Sequence, residues 1–492
     1  MYLGLDLGTS SVKVIVIDDN GMIAAQSSRP LSISHPHPLW SEQNPNDWLN
    51  IAEKAITDLP KKIRSKIQGI GLSGQMHGAV LIDKKNQPLR PAILWNDGRS
   101  FKECHDLEKN SPNLSLITGN QIMPGFTSPK LAWIKKHEPN IFSAIHKVLL
   151  PKDFLRLAWC GEYATDTSDA SGTLWLDIKK RSWSEVAINA SDLSIQQLPN
   201  VFEGKEITGK ISDSVARRLG IPRIPIVAGA GDQAAGAIGT SVINPNDASL
   251  SLGTSGVLFI TTNGFLPNTK QGIHAFCHAI PERWHQMAVI LSAASAIDWC
   301  SNLVGFKSPK IAYQAAEKKG TSENVMFLPY LSGERTPHND PHAKAVLFGL
   351  QASSDKATII HAALEGVAFA LADGYSALKT AGGRCDTISV IGGGSQSLYW
   401  GKIIANCLNK TLIYRNDAET GPAKGAAFLA LNGITGNDIN TICKPSPIRE
   451  AIEPEKIYTE FYADRLKSWQ SLYQETKPVS YTHLTLPTIY SV

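Results

Sequence analysis

"YLGLDLGTSSVKVIVID", residues 2–18, reads as two short β-runs joined by a Gly-Thr-Ser turn, with alternation and β-branched residues densest from Val12 to Ile17. The pattern returns half a chain later as "LSLGTSGVLFITT", residues 250–262, where Leu252-Gly253-Thr254-Ser255 and Val257 repeat Leu7-Gly8-Thr9-Ser10 and Val12. A single match of this kind is a plain tight hairpin. Two copies in equivalent strand-turn-strand settings, dividing 492 residues into near-equal parts, indicate a duplicated, two-lobed architecture.

A chain of this length exceeds what one hydrophobic core sustains, so two domains of roughly 200–250 residues are expected. The repeat places them at 1–243 and 244–478. Helical patterns at 48–59, 356–379 and 398–408 alternate with apolar strands at 66–72 and in "TISVIGGG". That alternation predicts α/β layers with largely parallel sheets. The last stretch, "VSYTHLTLPTIYSV" (479–492), carries no acid and no Lys or Arg, unlike the charged helical pattern at 454–477. It reads as a disordered tail or a translated sequencing adapter, and is set aside from the fold.

Composition narrows the function. Lys and Arg number 48 against 44 Asp and Glu, a net charge of +4 without a dense basic run, so the electrostatic footprint of a nucleic-acid binder is missing. Seven cysteines, odd in number and widely spaced, show no metal-like spacing and suit a reduced, cytoplasmic chain. No uninterrupted apolar stretch approaches the roughly 18 residues of a membrane span, and residue 2 opens a strand pattern without a leader. A soluble, unexported protein is expected.

Chemistry is concentrated in four loops. A Gly-Thr-Ser hairpin turn directs backbone N–H groups and hydroxyls to one point and so holds phosphate without a basic patch; two such turns facing each other would clasp a polyphosphate. Asp6, at the end of its strand, either orients a water-clad Mg²⁺ or caps its own turn. No Gly-x-x-x-x-Gly-Lys-Ser/Thr loop occurs, so any nucleotide is bound on another scaffold. "GAGDQAAG" (229–236) has two readings, a dinucleotide fingerprint Gly229-x-Gly231-x-x-Ala234 or a loop built around the lone carboxylate of Asp232. The first needs an acid ending the next strand about 20 residues on, whereas Asp247 precedes the strand 250–260. "VIGGGSQSLYWGKIIANC" (390–407) supplies a strand, a triple-glycine corner and a helix, suited either to an adenosine lying on bare backbone or to close strand–helix packing.

The segments "GLDLGTSSVK", "GLSGQMHGAVL", "LWNDGR", "FTSPKLAW", "GAGDQAAGA", "SLGTSGV", "FLPYLSGERTPHND" and "IGGGSQSLYW" run in order along the chain. Together they resemble the FGGY family of carbohydrate kinases, which share the hexokinase, Hsp70 and actin (ribonuclease H-like) fold. The resemblance implies an active site in the interlobe cleft, ATP and Mg²⁺, a small-molecule ketose substrate, no nucleic-acid or membrane partner, and a homodimer. The loops "GQMHGA" and "LWNDGR" imply phosphorylation of D-xylulose on its 5-hydroxyl. Sister kinases for ribulose, rhamnulose, gluconate or glycerol share the phosphate turns and differ around residues 75–99. An ATP-dependent binding protein of the same fold is the non-enzymatic alternative.

Carried over by position, the resemblance makes Asp232 the general base. It assigns Asp6, through water, to Mg²⁺, and Thr9, Ser10 and Lys13 to the phosphates. Gly253, Thr254 and Ser255 form the opposing phosphate turn, and Gly393, Gly394 and Gln396 lie near adenosine. Gln75, Met76 and His77 contact the sugar, with Asn96, Arg99 and Gln233 as further sugar contacts. Gln233 stands where the family usually carries Asn. Phe126, Leu131 and Trp133 are read as core or lid packing, and Lys152 with Asp153 as a structural ion pair.

Overall fold

The computed structural model describes residues 1–416 and 421–485, with side chains through residue 480. In the first half, strands β1 (Tyr2–Leu7), β2 (Ser11–Ile17), β3 (Ile23–Pro30), β4 (Gly69–Gly74), β5 (Ile207–Lys210), β6 (Pro225–Val227) and β7 (Ala230–Gly231) form one sheet. Its order is β5-β6-β4-β1-β2-β3, with β7 also paired to β4. In the second half, β8 (Ala248–Leu252), β9 (Gly256–Thr262), β10 (His274–Cys277), β11 (Trp284–Ile290), β12 (Thr387–Ile391), β13 (Thr411–Arg415) and β14 (Ile448–Ile452) form another, ordered β10-β11-β9-β8-β12-β13-β14.

The two sheets repeat one plan. From β5 to β3 the pairings run antiparallel, parallel, parallel, antiparallel, antiparallel. From β14 to β11 they run the same way, and β10 adds one further antiparallel edge. The expected duplication is therefore present, but the sheets are mixed rather than largely parallel. Hairpins force antiparallel neighbours, and only the strands reached by long crossovers are parallel.

The periodicity of β1 sorts its residues between two cores. Leu3, Leu5 and Leu7 pack with Val12, Val14 and Val16 beneath helix α1 (Pro45–Thr57) through Trp48, Ala52 and Ala55. Tyr2, Ile15 and Ile17 face the other side. That side is covered by helix α2 (Asp232–Gly239) and by a helix from the second half. In the second half, helix α3 (Lys356–Thr380) is long and apolar enough to cross a membrane by composition, yet 89% of that window is buried within the protein.

Helix α4 (Gly421–Thr435) is the helix that crosses back. A Cβ at Gly4 would sit 1.9 Å from the Ala423 carbonyl oxygen, and one at Gly71 the same distance from that of Ala426. Against α2 the contact is closer still: a Cβ at Gly425 would lie 1.8 Å from the Ala235 carbonyl oxygen. Glycine and alanine here let backbone meet backbone, so the two halves share one packed seam. The final helix α5 (Lys456–Thr485) continues through Pro478 into the segment set aside above, and 486–492 lie outside the described residues.

Candidate active site

The stretch "GAGDQAAG" is a strand end followed by a helix start. Gly229 has φ +79°, and a Cβ there would lie 1.9 Å from the Leu72 carbonyl oxygen, so only glycine fits. Ala230 and Gly231 then pair in parallel with Ser73 and Gly74, and Asp232 opens α2. The backbone leading to it is held from below. Arg156 donates to the carbonyls of Val227 (2.8 Å) and Ala228 (2.5 Å), and Gly231 N–H donates to Ser168 Oγ (3.1 Å). Ser168 in turn donates to Asp166. Lys152 lies 2.7, 2.8 and 3.1 Å from Asp153, Asp166 and Asp169, all fully buried. The expected Lys152–Asp153 pair is thus part of a larger buried cluster that underpins the Asp232 loop.

Two carboxylates lie close enough here for one to act on the other. Asp232 is pushed up to about 7, chiefly by burial and then by the negative charge of Asp6, against hydrogen bonds from the backbone and side chain of Gln233. Asp6 is pushed up to about 6 by burial, opposed by Ser73 Oγ–H at 3.0 Å and by Lys13, its partner across the hairpin. A carboxylate that changes charge near neutrality is suited to accept a proton at working pH.

Two cavities meet at Asp232. One, of about 180 Å³, is walled by Met76, His77, Trp95, Phe126, Phe276 and Arg335 among others. The other, of about 400 Å³, runs between the lobes along Ser249, Ser251, Gly392, Gly393, Gly421 and Pro422. Asp232, Gln233 and Val257 line both. Met76, His77, Asp232, Gln233 and Ser255 are therefore brought together on the first cavity, and Gly393 lies on the second. Gly394 is buried against Leu252 and Trp400, and Gln396 is exposed on the turn after β12.

Three expected sugar contacts lie elsewhere. Arg99 is spent on Asp97 (2.9 and 2.7 Å) and Glu42 (2.7 Å) and stacks 3.6 Å over Trp40. Gln75 is buried, accepting from Thr9 and donating to Gln43. Asn96 is exposed next to Trp95. Gln75 and Arg99 are spent on these protein partners and do not line either cavity. Thr9 Oγ1 accepts from Trp95 Nε1 at 3.0 Å, so the first Gly-Thr-Ser turn and the wall of the smaller cavity are joined. Ser10 is exposed at that turn, and Gly253 and Thr254 are held by Ala294 and Ala293 N–H at 3.0 and 2.9 Å.

His77 is fixed in the left-handed region (φ 68°). Its Nδ1 is 2.6 Å from the Gly172 carbonyl, so Nδ1 carries the proton and Nε2 is a bare acceptor. Burial pushes the ring down to about 3, hence neutral, with Lys130 and Arg335 adding to the effect. Lys130 Nζ clamps the carbonyls of His77 and Gly125, both at 2.7 Å, and burial lowers it to about 7. The "FTSPKLAW" stretch therefore holds the sugar loop: Phe126 lines the cavity, and Leu131 and Trp133 are core. Sequence reasoning assigned no role to Trp95, Met123, Lys130, His274, Phe276 or Arg335. Trp95, Lys130 and Arg335 sat in quoted motifs, "LWNDGR", "FTSPKLAW" and "LSGERTPHND", Arg335 as the one Lys or Arg of its own.

Among the described residues no cluster of three or more His, Cys, Asp or Glu side chains is arranged to hold a metal. Asp6 uses Oδ1 toward Ser73, leaving Oδ2 for a hydrated cation that arrives on phosphates.

The FGGY family of carbohydrate kinases matches over two stretches, its N-terminal domain at residues 1–239 and its C-terminal domain at 248–433. The chain is 46% identical to the xylulose kinase of Escherichia coli K12 over 484 residues, covering 97% of this chain and all of that one. It is 45% identical to that of Klebsiella pneumoniae, again over 97% of this chain and all of the other. A crystal structure described as a "xyloylose kinase" from Brucella ovis superposes with a TM-score of 0.94 at 44% identity, covering 97% of this chain and 99% of that one.

Proposed function

The chain belongs to the FGGY family of carbohydrate kinases, and from that premise we propose that it transfers the terminal phosphoryl group of ATP to the 5-hydroxyl of D-xylulose. The observation that carries this is the shared wall: a sugar-sized cavity and an interlobe cleft meet at one carboxylate, Asp232. The relatives named xylulose kinase, 45–46% identical over nearly the whole chain, support the sugar.

The sugar O5 hydroxyl donates to Asp232, which accepts the proton as the O5–P bond forms and the bond from phosphorus to the β,γ-bridging oxygen breaks. ADP leaves with that electron pair. Positioning and charge neutralisation do most of the work in such a transfer. His77, fixed as an acceptor, and the backbone around Met76 orient the polyol, and Gln233 steadies Asp232. The turns at Thr9–Ser10 and Thr254–Ser255 offer N–H and hydroxyl donors to the phosphates, with Lys13 beside the first. Gly393, Gly394 and Gln396 border the adenosine. Mg²⁺, oriented by Asp6 through water, neutralises phosphate charge when bound.

ADP release from Mg²⁺–ATP is the decisive assay, run with D-xylulose, D-ribulose, L-ribulose, L-rhamnulose, D-gluconate and glycerol. D-xylulose turns over best, and Asp232→Ala loses about 10³-fold in kcat while keeping ATP affinity. Preference for another polyol overturns the sugar; equal loss of ATP binding in the variant overturns the role of Asp232.

A further inference from the structure

The sugar cavity carries a charge that the chemistry above leaves unused. Arg335 lines it, and among the described residues its guanidinium forms no ion pair. The adjacent Glu334 accepts from the backbone N–H groups of Leu291 (3.0 Å) and Arg335 (2.8 Å) on Oε1, while its buried Oε2 has no hydrogen-bond partner among the described residues and makes no ion pair with Arg335. The guanidinium meets one side chain, His274, with Nη1 to Nε2 at 3.3 Å.

A chain of donors sets the sense of that contact. Asn120 Nδ2 donates to the carbonyls of Thr118 (2.6 Å) and Ala275 (3.0 Å), which makes its Oδ1 the acceptor facing His274 Nδ1 at 3.0 Å. Nδ1 therefore carries the proton, Nε2 is bare, and it accepts from Arg335. Burial, then the charge of Arg335, keeps the ring neutral. One N–H of the fork is thus occupied, and the others are left for whatever fills the cavity.

The surrounding wall is Met76, Met123, Phe126, Phe276, Met287 and Val289. Withdrawing a guanidinium from water into such a wall costs more than one bond to a neutral imidazole returns. A ligand oxygen would offset it. Asp232 and His77 Nε2 are acceptors and call for hydroxyl donors, and Gln233 already donates to Asp232. A keto oxygen accepts only, so it needs a donor. A 2-ketopentose closes its five-membered ring through O5, so a molecule with a free 5-hydroxyl is open-chain and presents that keto group.

We propose that Arg335, oriented by His274 and Asn120, donates to the keto oxygen of the open-chain sugar and makes the site select ketoses over the corresponding pentitols. This rests on the kinase reading above. The test compares wild type, Arg335→Met and Arg335→Lys by steady-state kinetics with D-xylulose, and with xylitol and D-arabinitol as competing ligands. Loss of a charged hydrogen bond raises KM for D-xylulose about 10- to 100-fold in Arg335→Met, with pentitol affinity changed less than about twofold. Arg335→Lys, which keeps the charge without the fork, falls between. Equal weakening for ketose and pentitol, or an unchanged KM for D-xylulose, overturns the proposal. If Arg335→Met does not fold, the same ratio measured in Arg335→Lys decides. A wild type that leaves D-xylulose unphosphorylated removes the kinase reading too, whereas an active wild type with an unselective variant removes only this inference.

Discussion

The two hairpins share one sequence pattern and differ in register and in chemistry. Aligned by their Leu-Gly-Thr-Ser turns, Asp6 corresponds to Ser251 and Gly74 to Gly392; Asp6 faces Lys13 across its hairpin, whereas Ser251, in a turn one residue tighter, faces Val257. Both turns close with a glycine N–H, Gly8 to the Ser11 carbonyl (3.0 Å) and Gly253 to that of Ser255 (3.1 Å). The first adds a buried carboxylate with a lysine across from it; the second is uncharged. Duplication thus supplies the Gly-Thr-Ser turn twice, while charge sits on one side only. Ser251 lines the same cavity as Asp232, so a carboxylate there would add negative charge and, under the proposed reaction, repel the phosphates.

That asymmetry is testable in order of effect. Asp6→Asn is expected to lower kcat about 10²-fold, while Ser251→Ala stays within about threefold in the same ADP-release assay; equal effects would make the two turns functionally equivalent. The same Asp6 variant sharpens the electrostatics. A base must be ionised to act, so kcat/KM of the wild type falls as pH drops through about 7, the value for Asp232. Asp6 is one of the charges raising it, so Asp6→Asn moves that acid limb to lower pH, and a limb that stays or rises separates the two carboxylates.

The smallest effects concern the backbone at the turn of β12. Gly392 has φ +87°, and a Cβ would lie 2.8 Å from the Leu252 carbonyl oxygen. Gly392→Ala should cost about 1–3 kcal/mol in denaturant unfolding. A Cβ at the next residue, Gly393, meets nothing within 4 Å, so Gly393→Ala costs about 0.5 kcal/mol or less. Unequal as they are, adjacent glycines in one motif look alike in a string of letters.

Much of the fold was legible because it is local. A turn of Gly-Thr-Ser between alternating apolar runs specifies a hairpin, and its recurrence specifies two lobes. Helices at 356–380 and 398–408 follow from periodicity nearly to the residue. Sheet direction was not legible, since it depends on whether a connection is a turn or a crossover. Of the site, Asp232, Met76, His77 and Gln233 lie on the cavity as the motifs suggested. Arg99 and Gln75 do not, because their partners Glu42 and Gln43 come from a distant strand. Lys130, inside a quoted motif, was given no role because its targets are main-chain carbonyls, which leave no mark in a sequence.

By itself, then, the sequence determined what neighbouring residues decide among themselves: two hairpins, the helical segments, a lone acid in a bare loop. Only the tertiary structure decided which charges are spent and which face the cavity. Arg99 and Arg335 are the same side chain in quoted motifs, yet Asp97 and Glu42 pair with the first, while among the described residues the guanidinium of the second hydrogen-bonds only His274. Hydrogen bonding and desolvation depend on what lies within a few ångströms in space, and long-range folding alone sets that.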